Sequence, residues 1–300
     1  MSISVVINTY NSSRTLAKVL DAVKSFDEIV VCDMESTDNT VEIAKKAGAR
    51  VVTFPKKHYT YADPARNYAI RQAHNDWVLV IDHDEIVTPE LRQALYKFVN
   101  RPGEVKGIYI PRRNFILDRF RRSSYPDYQL RFFYRDNVNW PSEFNSEPEV
   151  NGEVSKLPSN RQELALIHLP ASINHLIDRI KRYSAANLST QGPKNVNLVH
   201  VAVLPFATFI NTYFVKGAMR YGVAGFISAA TDSIGTFYRH AKQYEHNVRH
   251  KLVGGADGEL PHLLAEAKRE SIPQYERILI DEERQREEEL AEKRDSDANL

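Results

Sequence analysis

Four consecutive residues, Asp82-His83-Asp84-Glu85, close an apolar run from Trp77 to Ile81. Carboxylates two residues apart in extended chain can both reach one oxygen-seeking cation, and Mg²⁺ or Mn²⁺ suits them. Such a cation keeps open positions for substrate phosphates, where it neutralises the charge that develops on a leaving diphosphate. A simpler reading makes Asp84 and Glu85 the acidic opening of a helix over Pro89 to Val99. Thr88, ahead of Pro89, already supplies that start as a cap. Three acids at the end of a strand exceed what capping requires, so the pattern favours a site.

The elements that must position these acids follow from periodicity. Ile3 to Ile7 and Glu28 to Cys32 are short apolar, β-branched runs, and between them Leu16, Val19, Leu20 and Val23 recur as on a helix face. Thr40 to Ala47 predicts a second helix stopped by Gly48, Ala49 to Phe54 a third strand, and Ala62 to His74 a third helix. Strands alternating with helices imply a Rossmann-like α/β fold: a mostly parallel sheet flanked by helices, with ligands bound beyond the strands' carboxyl ends. From Val105 the pattern changes. Gly107 to Pro111 and Gln129 to Tyr134 read as antiparallel additions that make the sheet mixed, with the Arg-rich stretch Arg112 to Arg122 between them. Beyond Pro170 the sequence turns helical, first over Ile173 to Leu188 and then through an apolar segment from Val196 to Tyr238. These shifts divide the chain into an α/β region over 1–160, expected to hold the site, a helical region over 161–250, expected to contact an acceptor, a membrane or another subunit, and a charged helical tail over 251–300.

The 300 residues suffice for a packed core without a disulfide scaffold, and the single cysteine, Cys32, reads as a buried small hydrophobe in a reducing compartment. The opening MSISVVINTY enters a strand at once, which argues for the cytoplasm over secretion. Forty basic against thirty-nine acidic residues leave a formal charge of +1, so no global field points to nucleic acid.

Three segments carry a resemblance. VVINTYNSSRTL, EIVVCDMESTDNTVEIAKKAGARVV and ARNYAIRQAHNDWVLVIDHDE are similar to the successive nucleotide-binding motifs of family 2 glycosyltransferases, which have the GT-A fold. PRRNFILDRFRRSSYPDYQLRFFYRDNVNWPSEFNSEPEVNG followed by LIHLPASINHLIDRIKRYS resembles the bacterial lipopolysaccharide core β-glucosyltransferases in particular. The resemblance implies inverting transfer from a UDP-sugar, with glucose the leading candidate, to a glycan or lipid-linked glycan. It places Thr9, Tyr10 and Asp33 at the uridine, Arg66, His83 and Arg131 near the nucleotide-sugar, and Asp82 and Asp84 as the DxD metal pair, Asp84 being the better ligand. Glu147 falls where that branch carries the Glu of a His-Glu pair, the candidate general base. Here Ser146 replaces the His, and Glu143 is a competitor for the role. Position 34 carries Met where many relatives have a second acid.

Each residue also has a plainer reading. Asp33 could cap the next helix, Arg66 could be a surface residue, Glu147 a solvated loop residue, and His168 and His175 packed or helix-surface histidines. Arg112, Arg113, Arg119, Arg121, Arg122, Arg131 and Arg135, opposed only by Asp118 and Asp127, predict a local cationic surface, either solvated or meeting phosphates. Asn197 to Val215 is too polar for a good spanning helix. Flanked by Lys194, Lys216, Arg220, Arg239 and Lys242, it fits an amphipathic element at a membrane interface or a helical pair packed on the catalytic domain or on another subunit. Two other function classes compete: a nucleotidyltransferase, which would need a Gly-rich basic loop that NTYNSSRTL does not offer, and a catalytically inactive sugar-binding protein.

Overall fold

The computed structural model describes residues 1–56, 62–142, 146–170, 172–191 and 195–253. Strands β1 (Ile3–Thr9), β2 (Glu28–Asp33), β3 (Arg50–Thr53) and β4 (Trp77–Asp82) run parallel in the order β3-β2-β1-β4. All seven residues of β1 are buried, as expected for the middle of a sheet covered on both faces. Helix α1 (Ser13–Val23) buries Leu16, Val19, Leu20 and Val23, the four positions that its spacing marks. Helices α2 (Thr40–Lys46) and α3 (Asp63–Arg71) complete the alternation.

The chain then leaves β4 through the acidic turn, forms the short strand β5 (Glu85–Ile86) and enters α4 (Pro89–Val99). Thr88 caps this helix, its hydroxyl accepting from the Leu91 amide at 3.1 Å. Strand β6 (Val105–Ile116) is the hub of the second half of the sheet, taking β7 (Arg119–Phe120) and β8 (Asp127–Tyr134) antiparallel. β8 lies between β4 and β6 and is antiparallel to both, so the sheet is mixed. Trp77 on β4 stacks on Phe132 of β8, with ring centroids 5.1 Å apart, and this apolar contact fixes the junction between parallel and antiparallel parts. A separate pair, β9 (Val138–Asn139) and β10 (Glu149–Val150), flanks the acids, while β11 (Glu153–Lys156) runs parallel to β6.

Two boundaries differ from the sequence expectation. The sheet does not end at residue 160: β12 (Leu166–His168) inserts between β6 and β5, so the α/β part runs to His168. The Arg-rich stretch is only in part the cationic surface expected: Arg119 pairs only with its exposed neighbour Asp118 and, among the described residues, Arg113 and Arg122 form no ion pair, but the others are paired. Arg112 lies within β6 and is held between Glu85 and Asp127, Arg121 pairs with Asp232, Arg131 with Asp82, and Arg135 with Asp136. Glu85, Asp82 and Asp232 come from β5, β4 and α7, remote in sequence, and offset charge that a local count leaves open.

Beyond the sheet, α5 (Ile173–Gln191) packs near α7 (Gly222–Val253). Between them α6 (Leu204–Ile210) is flanked by π-helical turns at Val199–Val203 and Asn211–Val215. The chain turns back toward α7 through Ala218–Tyr221, and a side chain at Gly225 would lie 1.8 Å from the Ala218 carbonyl oxygen, so only glycine fits there. Phe206, Phe214, Val215, Met219, Val223 and Phe226 are exposed around this corner. No single described helix is long and apolar enough to cross a membrane; the bent pair Val199–Val215 and Ala218–Val248 reaches that composition only together. Most of the 251–300 tail, and with it Lys194, lies outside the described residues.

Cys32 sits fully buried in β2, where burial and then the charge of Asp33 push its thiol up to about 12. Ellman's reagent at pH 8 should therefore leave the native chain unlabelled on a time scale of minutes and titrate one thiol once guanidinium is added. Rapid stoichiometric labelling of the folded protein would show that β2 is not the buried strand described here.

Candidate active site

The carboxyl ends of β1 and β4, helix α3, the β8 strand and the loop before β10 enclose a polar cleft of ≈ 340 Å³. Asp82, His83 and Asp84 reach it from the end of β4, Arg66 from α3, Arg131 from β8 and Glu147 from the loop. Its size is that of a small-molecule site.

Asp82 anchors two buried arginines. One carboxylate oxygen accepts from Arg66 Nη2 at 2.8 Å and the other from Arg131 Nη2 at 2.7 Å. Burial opposes ionisation of Asp82, yet Arg131 and Arg66 outweigh it and hold the carboxyl well below the usual carboxylate range. Both guanidinium groups also stand over the Trp140 ring, at 4.4 Å for Arg66 and 5.4 Å for Arg131. Trp140 is clamped in turn by Asn67, whose amide exchanges two backbone bonds with it at 2.7 and 2.8 Å. Among the described residues, Nε and Nη1 of Arg66 and of Arg131 are buried without a hydrogen-bond partner, as are both amide atoms of Asn8. Buried donors of this kind call for an acceptor.

Asp84 has a different partner. Its Oδ2 lies 3.2 Å from His168 Nε2, while His168 Nδ1 is 2.8 Å from Asn114 Oδ1. The Asn114 amide nitrogen donates to Asp127 at 2.8 Å, which fixes the amide's orientation and leaves its oxygen as the acceptor. His168 Nδ1 must then carry a proton, and Nε2 is the nitrogen turned to Asp84. Burial lowers the His168 pKa, but its bond to Asp84 and the Asp84 charge outweigh this and raise it. Asp84 responds in kind: burial raises its pKa, and His168 more than offsets that, lowering it.

An Asp-His pair with an oriented imidazole is a donor set that a divalent cation accepts, and a backing amide on the other ring nitrogen is the usual outer support for such a ligand. Asp82 is less available, because both of its oxygens are taken by arginines. Among the described residues no three His, Cys, Asp or Glu side chains form a ready metal cluster, so a bound substrate and water would have to complete the coordination. Glu85, the third acid of the motif, is not part of the cleft. It is fully buried, pairs with Arg112 at 2.9 Å and accepts the Asp82 amide at 3.0 Å.

Of the remaining expected residues, Thr9, Tyr10 and Asp33 sit beside the cleft, whereas His83 and Glu147 line it. Thr9 and Asp33 are 1% and 2% exposed and bond to each other at 3.0 Å, with Ser36 donating twice more to Asp33. Tyr10 is exposed, with the Lys56 ammonium 4.3 Å above its ring. His83 lines the cleft and meets the Thr15 hydroxyl at 3.1 Å. Glu147 is an exposed lining residue, and Ser146 holds its loop by donating to the Pro141 carbonyl at 2.6 Å. Glu143 lies outside the described residues, as does the side chain of His175. Sequence reasoning missed Asn8, Trp140 and Arg179 as cleft residues and set His168 aside. Its only local mark is a place just before a Leu-Pro break, and the pairing of β12 with β5 is what sets it against Asp84.

The family model described as glycosyl transferase family 2 matches residues 4–148. An uncharacterized glycosyltransferase of Rickettsia conorii is 31% identical over 276 residues, which is 85% of this chain and 94% of that protein. The lipopolysaccharide core biosynthesis glycosyltransferase LpsC of Rhizobium meliloti is 25% identical over 266 residues, 84% of this chain and 94% of its own. Among solved structures, a mannosyltransferase of Pyrobaculum calidifontis in complex with GDP-Man and Mn²⁺ covers 81% of this chain and 86% of its own, at 13% identity and a TM-score of 0.48. The mixed sheet, its flanking helices and the helical C-terminal region are the α/β architecture expected from the sequence. On the family model's match to residues 4–148 and the likeness to the rickettsial glycosyltransferase over 85% of this chain, the chain belongs to glycosyl transferase family 2.

Proposed function

We propose that this glycosyltransferase moves a sugar, glucose first among the candidates, from a UDP-sugar to a glycan or lipid-linked glycan with inversion at the anomeric carbon. The likeness to LpsC supports a role in lipopolysaccharide or related cell-surface glycan synthesis. The observation that carries the reading is the Arg66–Arg131 pair: two buried guanidinium groups with unpartnered N–H donors, facing a cleft beside Asp84. Guanidinium forks match phosphate oxygens, so a diphosphate would satisfy donors that the protein leaves open.

Thr9, Tyr10 and Asp33, at the ends of β1 and β2, flank the position for the uridine. Arg66 and Arg131 hold the diphosphate and stabilise the charge that it gains on leaving. Asp84 and His168, with Asp82 if it releases an arginine, would hold Mg²⁺ or Mn²⁺, which supplies further charge neutralisation at the leaving diphosphate. Glu147, exposed on the cleft's lining, removes the proton from the acceptor hydroxyl as that oxygen attacks the anomeric carbon from the face away from the diphosphate.

Thermal unfolding with UDP, GDP and dTDP, each with and without Mn²⁺, tests the donor half. UDP with Mn²⁺ at 100-fold excess over its Kd should stabilise the chain by about 2.7 kcal/mol. In Asp84→Ala the Mn²⁺-dependent part of the shift should vanish. A larger shift with GDP or dTDP would replace the uridine assignment, and a shift indifferent to Mn²⁺ would remove the metal.

A further inference from the structure

A second cavity, a groove of ≈ 370 Å³, lies among α5, the α6 segment and α7, and it shares Arg179 and Tyr183 with the donor cleft. We propose that this groove binds the part of the acceptor next to the accepting sugar, and that this part is an acidic glycan carrying a phosphate or carboxylate. The proposal rests on the transfer reading above, since a group-transfer enzyme must place one acceptor hydroxyl in the donor cleft and the rest of the acceptor beside it. A groove that opens from the cleft edge at Arg179 is so placed.

Its chemistry points to the ligand class. Arg179, Lys216 and Arg239 line it, and among the described residues no ion pair is formed by any of the three. The one acid present, Asp232, is already committed to Arg121 and to the Thr212 hydroxyl. The groove therefore has an uncompensated positive charge. Lys216, which flanks the segment read from sequence as either membrane-facing or packed on protein, lines this groove.

Between the cations lie small hydroxyl side chains, which exchange hydrogen bonds with sugar hydroxyls without filling the space. Thr208 and Thr236 contact each other across it at 3.3 Å, and Thr212 is almost fully buried on its floor. The π-helical turn at Asn211–Val215 widens the backbone at this point and carries Asn211, Thr212 and Lys216 at or just past it, a local expense that α-helical winding would avoid. An apolar docking surface would not gather these groups.

Isothermal titration of the full-length chain, saturated with UDP and Mn²⁺, with glucose 6-phosphate, galacturonic acid and glucose reads the preference. Both anionic sugars should bind at least tenfold more tightly than glucose. Arg239→Glu should weaken them at least tenfold and move UDP affinity less than twofold, because Arg239 lies outside the donor cleft. Should that variant not fold, Arg239→Gln reads the same loss, and Arg239→Lys should restore most of the binding. Anionic sugars that bind no better than glucose, or that ignore Arg239→Glu while UDP binds normally, overturn the groove and leave the donor reading intact. If UDP fails to bind while the anionic sugars, titrated without it, still bind in an Arg239-dependent way, the donor reading falls and the groove stands. A parallel arm uses phosphatidylglycerol vesicles: loss of vesicle binding in Arg239→Glu, with glucose 6-phosphate unaffected, would mean that the cations face a bilayer and would overturn the proposal.

Discussion

Glu147→Gln should lower kcat by about 10²- to 10⁴-fold while UDP and Mn²⁺ bind as in the wild type, because a general base acts only as the acceptor proton moves. Gln keeps the shape of the side chain and loses only its ability to take the proton. The loop need not rearrange, since its anchor is the Ser146 to Pro141 bond. Turnover with UDP-glucose and an acceptor, together with UDP affinity by titration, separates the two effects. Glu143→Gln is the control, as that residue is the sequence competitor for the role. Should Glu143→Gln be the inactive variant and Glu147→Gln the active one, the base assignment moves four residues upstream. Two active variants would remove the basis for the inverting mechanism.

The second large effect is on stability. Glu85→Ala should destabilise the fold by about 3–5 kcal/mol, because it leaves the Arg112 guanidinium in the sheet with one of its two carboxylates gone. Glu85 is fully buried, whereas the Arg112 side chain is 18% exposed, so little water can reach the lost partner. The Asp82 amide would lose its acceptor as well, at the base of the cleft. Urea unfolding followed by circular dichroism should show the midpoint falling sharply, and Glu85→Gln should recover part of it through its retained amide oxygen. Asp84→Ala, one residue away, should leave the midpoint nearly unchanged, since Asp84 borders the cleft and its partner His168 can become neutral. If both variants melt alike, the division of the acidic motif into a cleft half and a core half is wrong.

How far the sequence carried this picture depended on the range of the interaction involved. The four parallel strands, α1 and the Thr88 cap rest on patterns within a dozen residues, and the structure places them within a residue or two of the expectation. β6 was expected to end at Pro111 and continues to Ile116, because charges at Arg112 and Arg113 read locally as a loop. Arg112 stays in the strand since Glu85 and Asp127 neutralise it from strands on either side. β12 escaped notice because three residues cannot show a period, and with it went the Asp84 partnership of His168. Asp82, Asp84, His83, Arg66, Arg131 and Glu147 were all nominated from motifs, and the structure gathers them around one cleft. The distribution of charge among them was not readable: that Glu85 supports the core, and that Asp82 holds two arginines, depends on side chains 16 to 49 residues away.

The pairing of the acids has a bearing on biosynthesis. A ribosome releases the chain from its N-terminus, so β1 to β4 can close as a parallel sheet once residue 82 has emerged. At that stage Asp82, Asp84 and Glu85 hang from its edge with Arg66 the only one of their cationic partners yet made. Arg112 follows, then Arg131, and His168 arrives 84 residues after the aspartate that it contacts. Arg121 finds Asp232 only after 111 further residues. Closing such long loops is slow compared with pairing neighbouring strands. The cleft is thus completed only as β6, β8 and β12 join the four parallel strands, and a nascent chain cut short before them would carry Asp82 and Asp84 without Arg131 and His168.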